Sequence, residues 1–410
     1  MSQQGPILVV SSDGWPPFVT ALDEAQMFPV IETGWVDAGR AVAQVQPSIV
    51  LAAMFDGAEA RLAALAKEIA ARSPYLPLIV VEPRCALPDN AIPFSHGDGN
   101  IDRLIARLRA ALRVRVLHAT VLRRLENQAA KQIRLPDTDP SRDATVLLLG
   151  RGTAFPALSV ALGERMSIVG AFSIEAAANH LNTRDINGII LGEGFTARVV
   201  DAFLTVLAED ARFRHLPVVV TSNDLALSHD LANFEIIPGE PSRVAANALP
   251  LIRQHAFEAQ LSRTLRAIDA GGLLDPQTGL LTKTAFDRDL AVAIEQTKSH
   301  GGGLSIARFA FDSTQPRAQL DGARIMSRLM RRMDFGALHD QGSVLVVFAG
   351  TDLREAHATA RRMSSVMRHT SNGKRSPRSD PAVSVATLQA SDSPASLLAR
   401  LYGDTRRAAS

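Results

Sequence analysis

Apolar and polar positions divide the chain into three successive blocks, the first two sharing one rhythm. Short apolar runs fall at residues 6–10, 48–53 and 77–81, with helical stretches at 59–72 and 101–113 between or after them. Apolar strands separated by helices predict a parallel sheet covered on both faces. A polar stretch with two prolines, 135–140, interrupts the pattern. It restarts with apolar runs at 144–149, 187–191 and 216–221. A helix is predicted over 242–270 from Val244, Ala248, Leu251, Ile252, Leu261, Leu265 and Ile268, and Gly271-Gly272 ends it. The third block runs from an apolar strand at 304–311 to a strongly apolar run closing at Phe348, with a hairpin turn expected at 340–344.

The 410 residues, 46% hydrophobic and 21% charged, suffice for two or three domains with their own cores. The expected division is 1–128, a linker at 129–142, 143–270, and 273–410. There is no apolar run of about eighteen residues and no basic-then-apolar leader, so a cytoplasmic protein without membrane insertion is expected. Cys85 is the single cysteine, which excludes an internal disulfide or a cysteine-based zinc cluster. Charge is uneven: residues 273–410 hold 19 Lys/Arg against 13 Asp/Glu, or +6, and the remainder is −4. A basic C-terminal third favours an anionic partner such as a nucleotide. With 5% aromatic residues, nucleic-acid binding is not expected. The arginines of 103–124 suit a solvated helix face or a dimerisation helix.

The strand spacing of the first two blocks resembles the receiver domains of response regulators, a flavodoxin-like doubly wound α/β fold. The second block adds the run Asp210-Ala211-Arg212-Phe213-Arg214-His215-Leu216-Pro217 and then Thr221, as receivers do around their fourth strand. The resemblance implies an acidic pair after the first strand and a phosphoacceptor aspartate after the third. Clustered carboxylates there bind Mg²⁺ and offset the incoming phosphoryl charge. Here the pair's slots hold Ser11 and Ser12, and the acceptor slot holds Ala53; the switch threonine's slot holds Glu82. Asp13 and Asp56 are shifted alternatives. In the second block the pair maps to Gly150 and Arg151 and the acceptor to Gly192, with Glu193 one residue late. The lysine slots near His96 and Gly239 are empty. Both blocks therefore look like degenerate receivers.

The third block opens with Asp275-Pro276-Gln277-Thr278-Gly279-Leu280-Leu281-Thr282, and carries Arg331-x-x-Asp334 five residues before the expected hairpin. Ala349-Gly350-Thr351-Asp352, the strand at 383–386 and the helix at 397–402 add to the pattern, which resembles the GGDEF (diguanylate cyclase) family over residues 273–403. The resemblance implies an α+β, adenylate-cyclase-like palm. It also implies a metal-binding aspartate on the first strand, where this chain has Arg308, with Ala310 in the second acidic slot. The Gly-Gly-Asp/Glu-Glu-Phe hairpin becomes Asp340, Gln341, Gly342, Ser343 and Val344, and the guanine-contacting asparagine becomes Thr282. Asp312 is out of register, and the loop at 313–321 is short. No metal and no cyclase activity are expected.

The family's inhibitory Arg-x-x-Asp site, by contrast, is retained at Arg331 and Asp334, with Arg362 as the second arginine the resemblance implies. A guanidinium can stack on guanine and fork onto phosphate, and a carboxylate can accept from guanine N–H groups. The implied ligand is cyclic di-GMP, in the family an intercalated dimer. The alternative is an i,i+3 surface pair on a helix. The expected protein is a non-enzymatic cyclic di-GMP effector, homodimeric, that recruits protein clients or adaptors, those of a protease among them, at a bacterial cell pole. The rival readings are a ligand-independent scaffold and a cyclase with a rearranged metal site using Asp312 or Asp340.

Overall fold

The computed structural model describes residues 5–12, 14, 16–25, 27, 29–83, 85–95, 101–126, 133–136, 138–222, 231–312, 314, 316–339, 342–367 and 381–407. The chain divides into two compact units: Met1–Asn127, Thr138–Ala177 and Ile186–Leu261, and then Gln128–Asp137, Ala178–Asp185 and Ser262–Ser410.

The chain begins with β1 (Ile7–Ser11), α1 (Pro17–Glu24), β2 (Val30–Gly34), α2 (Ala38–Val45), β3 (Ile49–Ala53), α3 (Glu59–Ala70), β4 (Leu78–Val81), β5 (Ala91–Phe94) and α4 (Ile101–Glu126). These strands form a parallel sheet in the order β2-β1-β3-β4-β5, the doubly wound flavodoxin-like order. Strand residues point alternately to its two faces. Val9, Leu51 and Ile79 pack with Leu22, Leu104 and Leu108 of α1 and α4. Leu8, Val50 and Val80 pack with Val42, Leu62 and Ile69 of α2 and α3. Residues 82–90 join β4 to β5 without a helix among the described residues.

The arrangement repeats with β6 (Thr145–Leu149), α5 (Phe155–Gly163), β7 (Ser167–Ala171), α6 (Ile174–Thr183), β8 (Gly188–Leu191), α7 (Ala197–Glu209), β9 (Val218–Val220), β10 (Phe234–Ile236) and α8 (Pro241–Asp269). The second sheet is parallel, in the order β10-β9-β8-β6-β7.

Two arginines of α4 depart from the solvated helix face read from the sequence, whereas Arg109, Arg123 and Arg124 are exposed as expected. Arg103 and Arg107 are buried. Arg107 donates to Pro93 O at 2.6 Å, Ala232 O at 2.7 Å and Glu235 Oε1 at 2.9 Å, and Arg103 donates to Phe234 O at 2.7 Å. Charge buried this deeply persists only where every donor finds an acceptor. Here the carbonyls at β5 and β10 and one carboxylate supply them.

The second unit continues with α9 (Lys283–His300), β11 (Leu304–Ala310), α10 (Pro316–Leu329), β12 (Phe335–His339), β13 (Ser343–Ala349), α11 (Leu353–Met367), β14 (Ala382–Thr387) and α12 (Pro394–Arg407). Its sheet is antiparallel, in the order β12-β13-β11-β14. Phe309, Val344, Val346 and Phe348 face α10 and α11. Leu304, Ile306, Leu345 and Val347 face α9 and α12. The predicted loop at 313–321 is largely helix: α10 starts at Pro316, and Asp321 lies buried within it, 3.0 Å from Arg317. Among the described residues no helix is long and apolar enough to cross a membrane.

Candidate functional site

Arg331 lies beyond the last residue of α10, not on the helix, and the Arg-x-x-Asp stretch is a tight turn leading into β12. Asp334 N donates to Arg331 O at 3.0 Å. The Asp334 carboxylate is buried and already bonded: Oδ2 accepts from Arg331 N at 3.2 Å, and Oδ1 from Ala349 N at 3.3 Å. One side chain therefore ties the start of β12 to the end of β13. Burial pushes its carboxyl above the usual carboxylate range, while these N–H bonds and the Arg331 charge pull it back. This is not the exposed surface ion pair that helical spacing allowed.

Arg331 and Arg332 are exposed. Arg362 is exposed on α11, whose Ala356, Ala360, Met363 and Met367 form its buried face. Helix α10 packs against α11, so the turn after α10 and the outer face of α11 belong to neighbouring elements. Gly336 is required two residues after Asp334: a Cβ there would lie 2.6 Å from Leu345 O across the β12–β13 ladder.

The hairpin slots divide. Asp340 and Gln341 lie outside the described residues. Gly342 takes a left-handed φ of +70°, and its carbonyl accepts from Phe311 N at 3.0 Å. Val344 is buried against the α10–α11 face. Ser343 points to the opposite face, and there it meets Arg308.

Arg308 is 8% exposed; its Nε donates to Ser343 Oγ at 2.9 Å, and its guanidinium carbon lies 4.4 Å from the centre of the Tyr402 ring. The Tyr402 hydroxyl is 2.7 Å from His339 Nδ1. Positions 308 and 343 are joined here by a cation, a hydroxyl and an aromatic face. Sequence reasoning named Arg308 and Ser343 separately and missed Tyr402 and His339. The strand alternation that places 339, 343 and 308 on one sheet face was the available signal. Ala310 pairs opposite Ser343, and exposed Asp312 accepts from Thr314 N at 2.9 Å, a bond that holds its carboxyl low. Thr282 sits at the N-terminus of α9, its N–H bonded to Leu273 O at 2.8 Å. Asp275 folds the opening motif into a turn, accepting from Thr278 N at 2.8 Å and Thr278 Oγ1 at 2.7 Å.

In the first unit, Ala53 ends β3, and Ser11 Oγ at the end of β1 lies 2.6 Å from Glu32 Oε1. Asp13 and His96 lie outside the described residues. In the second sheet, Gly192 N donates to Leu149 O at 2.7 Å, and Arg151 N donates to Glu193 O at 2.8 Å. The Arg151 guanidinium donates to Phe172 O and lies 5.4 Å from the Phe195 ring centre. Thr221 Oγ1 donates to Leu191 O at 3.4 Å, a weak hydroxyl cap on the end of β8. Among the described residues no group of three His, Cys, Asp or Glu side chains could hold a metal ion.

No protein-family model and no curated protein matches the chain. Solved structures similar to about a third of it are GGDEF domains. The GGDEF domain of DgcB from Caulobacter crescentus, in complex with c-di-GMP, is 17% identical, covering 33% of this chain and 89% of that one with a TM-score of 0.31. The GGDEF domain of FimX from Pseudomonas aeruginosa is 17% identical over 32% and 89% of the two chains, with a TM-score of 0.29. The diguanylate cyclase SiaD from Pseudomonas aeruginosa, in complex with its activator SiaC, is 19% identical over 36% and 64%, with a TM-score of 0.32.

Proposed function

We propose that this chain is a non-enzymatic cyclic di-GMP effector, which binds its ligand at Arg331, Asp334 and Arg362 and makes none. The observation that carries this reading is the contrast between two places in one unit. Arg308 fills the slot where a cyclase would hold metal, bonded to Ser343 and stacked on Tyr402. Arg331 and Arg362 remain exposed on neighbouring elements.

Cyclase chemistry uses two Mg²⁺ ions held by carboxylates to activate a 3′-hydroxyl and hold a triphosphate. The residues present do not fit that group. A guanidinium at contact distance would repel a divalent ion by several kcal/mol even at an effective dielectric near 20. The exposed arginines suit the phosphates and guanine faces of cyclic di-GMP, and an intercalated dimer brings four phosphates to the +6 segment 273–410.

The two parallel-sheet modules act in this reading as pseudo-receivers, with Ala53 and Gly192 in place of phosphoacceptors, and serve homodimerisation and partner docking. Recruitment of protein clients or adaptors, to a cell pole or a protease, completes the proposal. One observation favours the rival ligand-independent scaffold: both Asp334 oxygens already accept from backbone N–H groups. A carboxylate has further lone pairs to offer, so ligand binding decides between the two. Calorimetric titration with cyclic di-GMP is the test; binding that Arg331→Ala abolishes supports the effector, and absence of binding leaves the scaffold.

A further inference from the structure

The second unit includes residues 178–185, and the last two of these join α10 to α11. Arg184 is only 3% exposed. Its guanidinium donates to Val366 O in the last turn of α11; burial lowers its pKa to about 10, partly offset by the charge of Asp321 on α10. Its own carbonyl accepts from Arg328 in the last turn of α10. The same Arg328 nitrogen lies 2.8 Å from Asp185 Oδ1, and Arg263 lies 3.8 Å from Asp185 Oδ2. Carbonyls in the last turn of a helix lack intrahelical partners, and a cation there is favoured by the helix dipole. Val366 follows Arg362 by four residues, and Arg328 precedes Arg331 by three. Each anchored turn is thus about one helical turn from an arginine assigned to the ligand.

We propose that Arg184 is a positioning residue for the cyclic di-GMP site, tying the last turn of α11 to the last turn of α10 and so setting the spacing of Arg362 and Arg331. The proposal rests on the ligand reading above. A ligand gripped by arginines from two elements binds more tightly when their separation is fixed beforehand, because ordering them on binding costs affinity. Arg184 acts through those two turns and not by touching ligand.

The test uses the full chain, titrated calorimetrically with cyclic di-GMP as wild type, R184A, R184K, R362A and R184A/R362A. Ligand-free hydrogen exchange over α11 accompanies it. R184A should weaken binding roughly tenfold. R184K, which keeps a cationic donor for the Val366 carbonyl, should restore most of that loss. In the R362A background R184A should add less than about twofold, because the effect passes through Arg362. Without ligand, the last turn of α11 should exchange faster in R184A than in wild type. Unchanged affinity in R184A, or fully additive losses in the double variant, overturns the proposal. If the wild type binds no cyclic di-GMP, the ligand reading fails by itself; unchanged exchange in R184A then overturns the tying role as well, and faster exchange supports it. Should R184A not fold, Asp185→Asn loosens the Arg328 and Arg263 contacts at a half-exposed position, with the same expectations at smaller size.

Discussion

Truncating Arg308 to alanine tests whether its buried guanidinium holds β11, β13 and Tyr402 together. The side chain is 8% exposed, bonded to Ser343 Oγ at 2.9 Å, and lies 4.4 Å from the Tyr402 ring centre. Losing a hydrogen bond from a charged donor costs about 1.5–3 kcal/mol, and losing a cation–π contact about 0.5–2 kcal/mol. Removing a buried charge also relieves its desolvation, which offsets part of the loss. The net expectation is about 2 kcal/mol, or a fall of about 4–8 °C in Tm for a unit of this size. Arg308→Asp should lose a further 1–2 kcal/mol or so, since it buries a carboxylate in place of the guanidinium. Thermal melts followed by ¹⁹F NMR of 3-fluorotyrosine suit the chain well. It has two tyrosines, Tyr75 in the first unit and Tyr402 in the second, so the Tyr402 signal reports the second unit alone. An Arg308→Ala transition within about 1 °C of wild type would refute the reasoning, as would GTP turnover by Arg308→Asp.

Three more outcomes follow from contacts elsewhere. Glu235→Ala strands Arg107 as an uncompensated buried charge, and should cost about 3–5 kcal/mol in denaturant unfolding of the first unit; Arg107→Met with Glu235→Leu should recover most of that, and a double variant as unstable as the single would contradict the account. Burial raises the Asp334 pKa in the folded chain, so this group's contribution to stability is full below about 3.8 and is lost as pH rises through the raised value. The ¹³C titration midpoint of its carboxyl should lie above 3.8, and a midpoint at or below it would count against the buried turn. Gly336→Ala should lower the Tyr402 melting transition by several degrees, from about 1–3 kcal/mol of overpacking against the Leu345 carbonyl; an unchanged transition would show that β12 and β13 are not so close.

The strands read from the sequence were β1, β3 and β4 in the first sheet, and β6, β8 and β9 in the second. Each is central, apolar along its length and buried on both faces. The four missed, β2, β5, β7 and β10, are all edge strands. An edge strand pairs on one side only, and β2, Val-Ile-Glu-Thr-Gly, is half-exposed throughout. The turn expected at 340–344 is met by the left-handed Gly342, while Ser343 and Val344 already belong to β13; Asp340 and Gln341 lie outside the described residues. The Arg308 cluster was only half legible: Arg308 and Ser343 stood out against the carboxylates that the GGDEF resemblance implies, while Tyr402 reaches Arg308 from α12, far along the chain. Arg103 and Arg107 misled because a basic helical run reads as solvated, and nothing local announces that carbonyls at Pro93, Ala232 and Phe234 await them.

The most direct test of the central claim is calorimetric titration of the full chain with cyclic di-GMP, with R331A beside it. Micromolar or tighter binding is expected, with more than one ligand per chain, and loss of both in R331A. A flat titration of the wild type, or binding that R331A leaves unchanged, would contradict it.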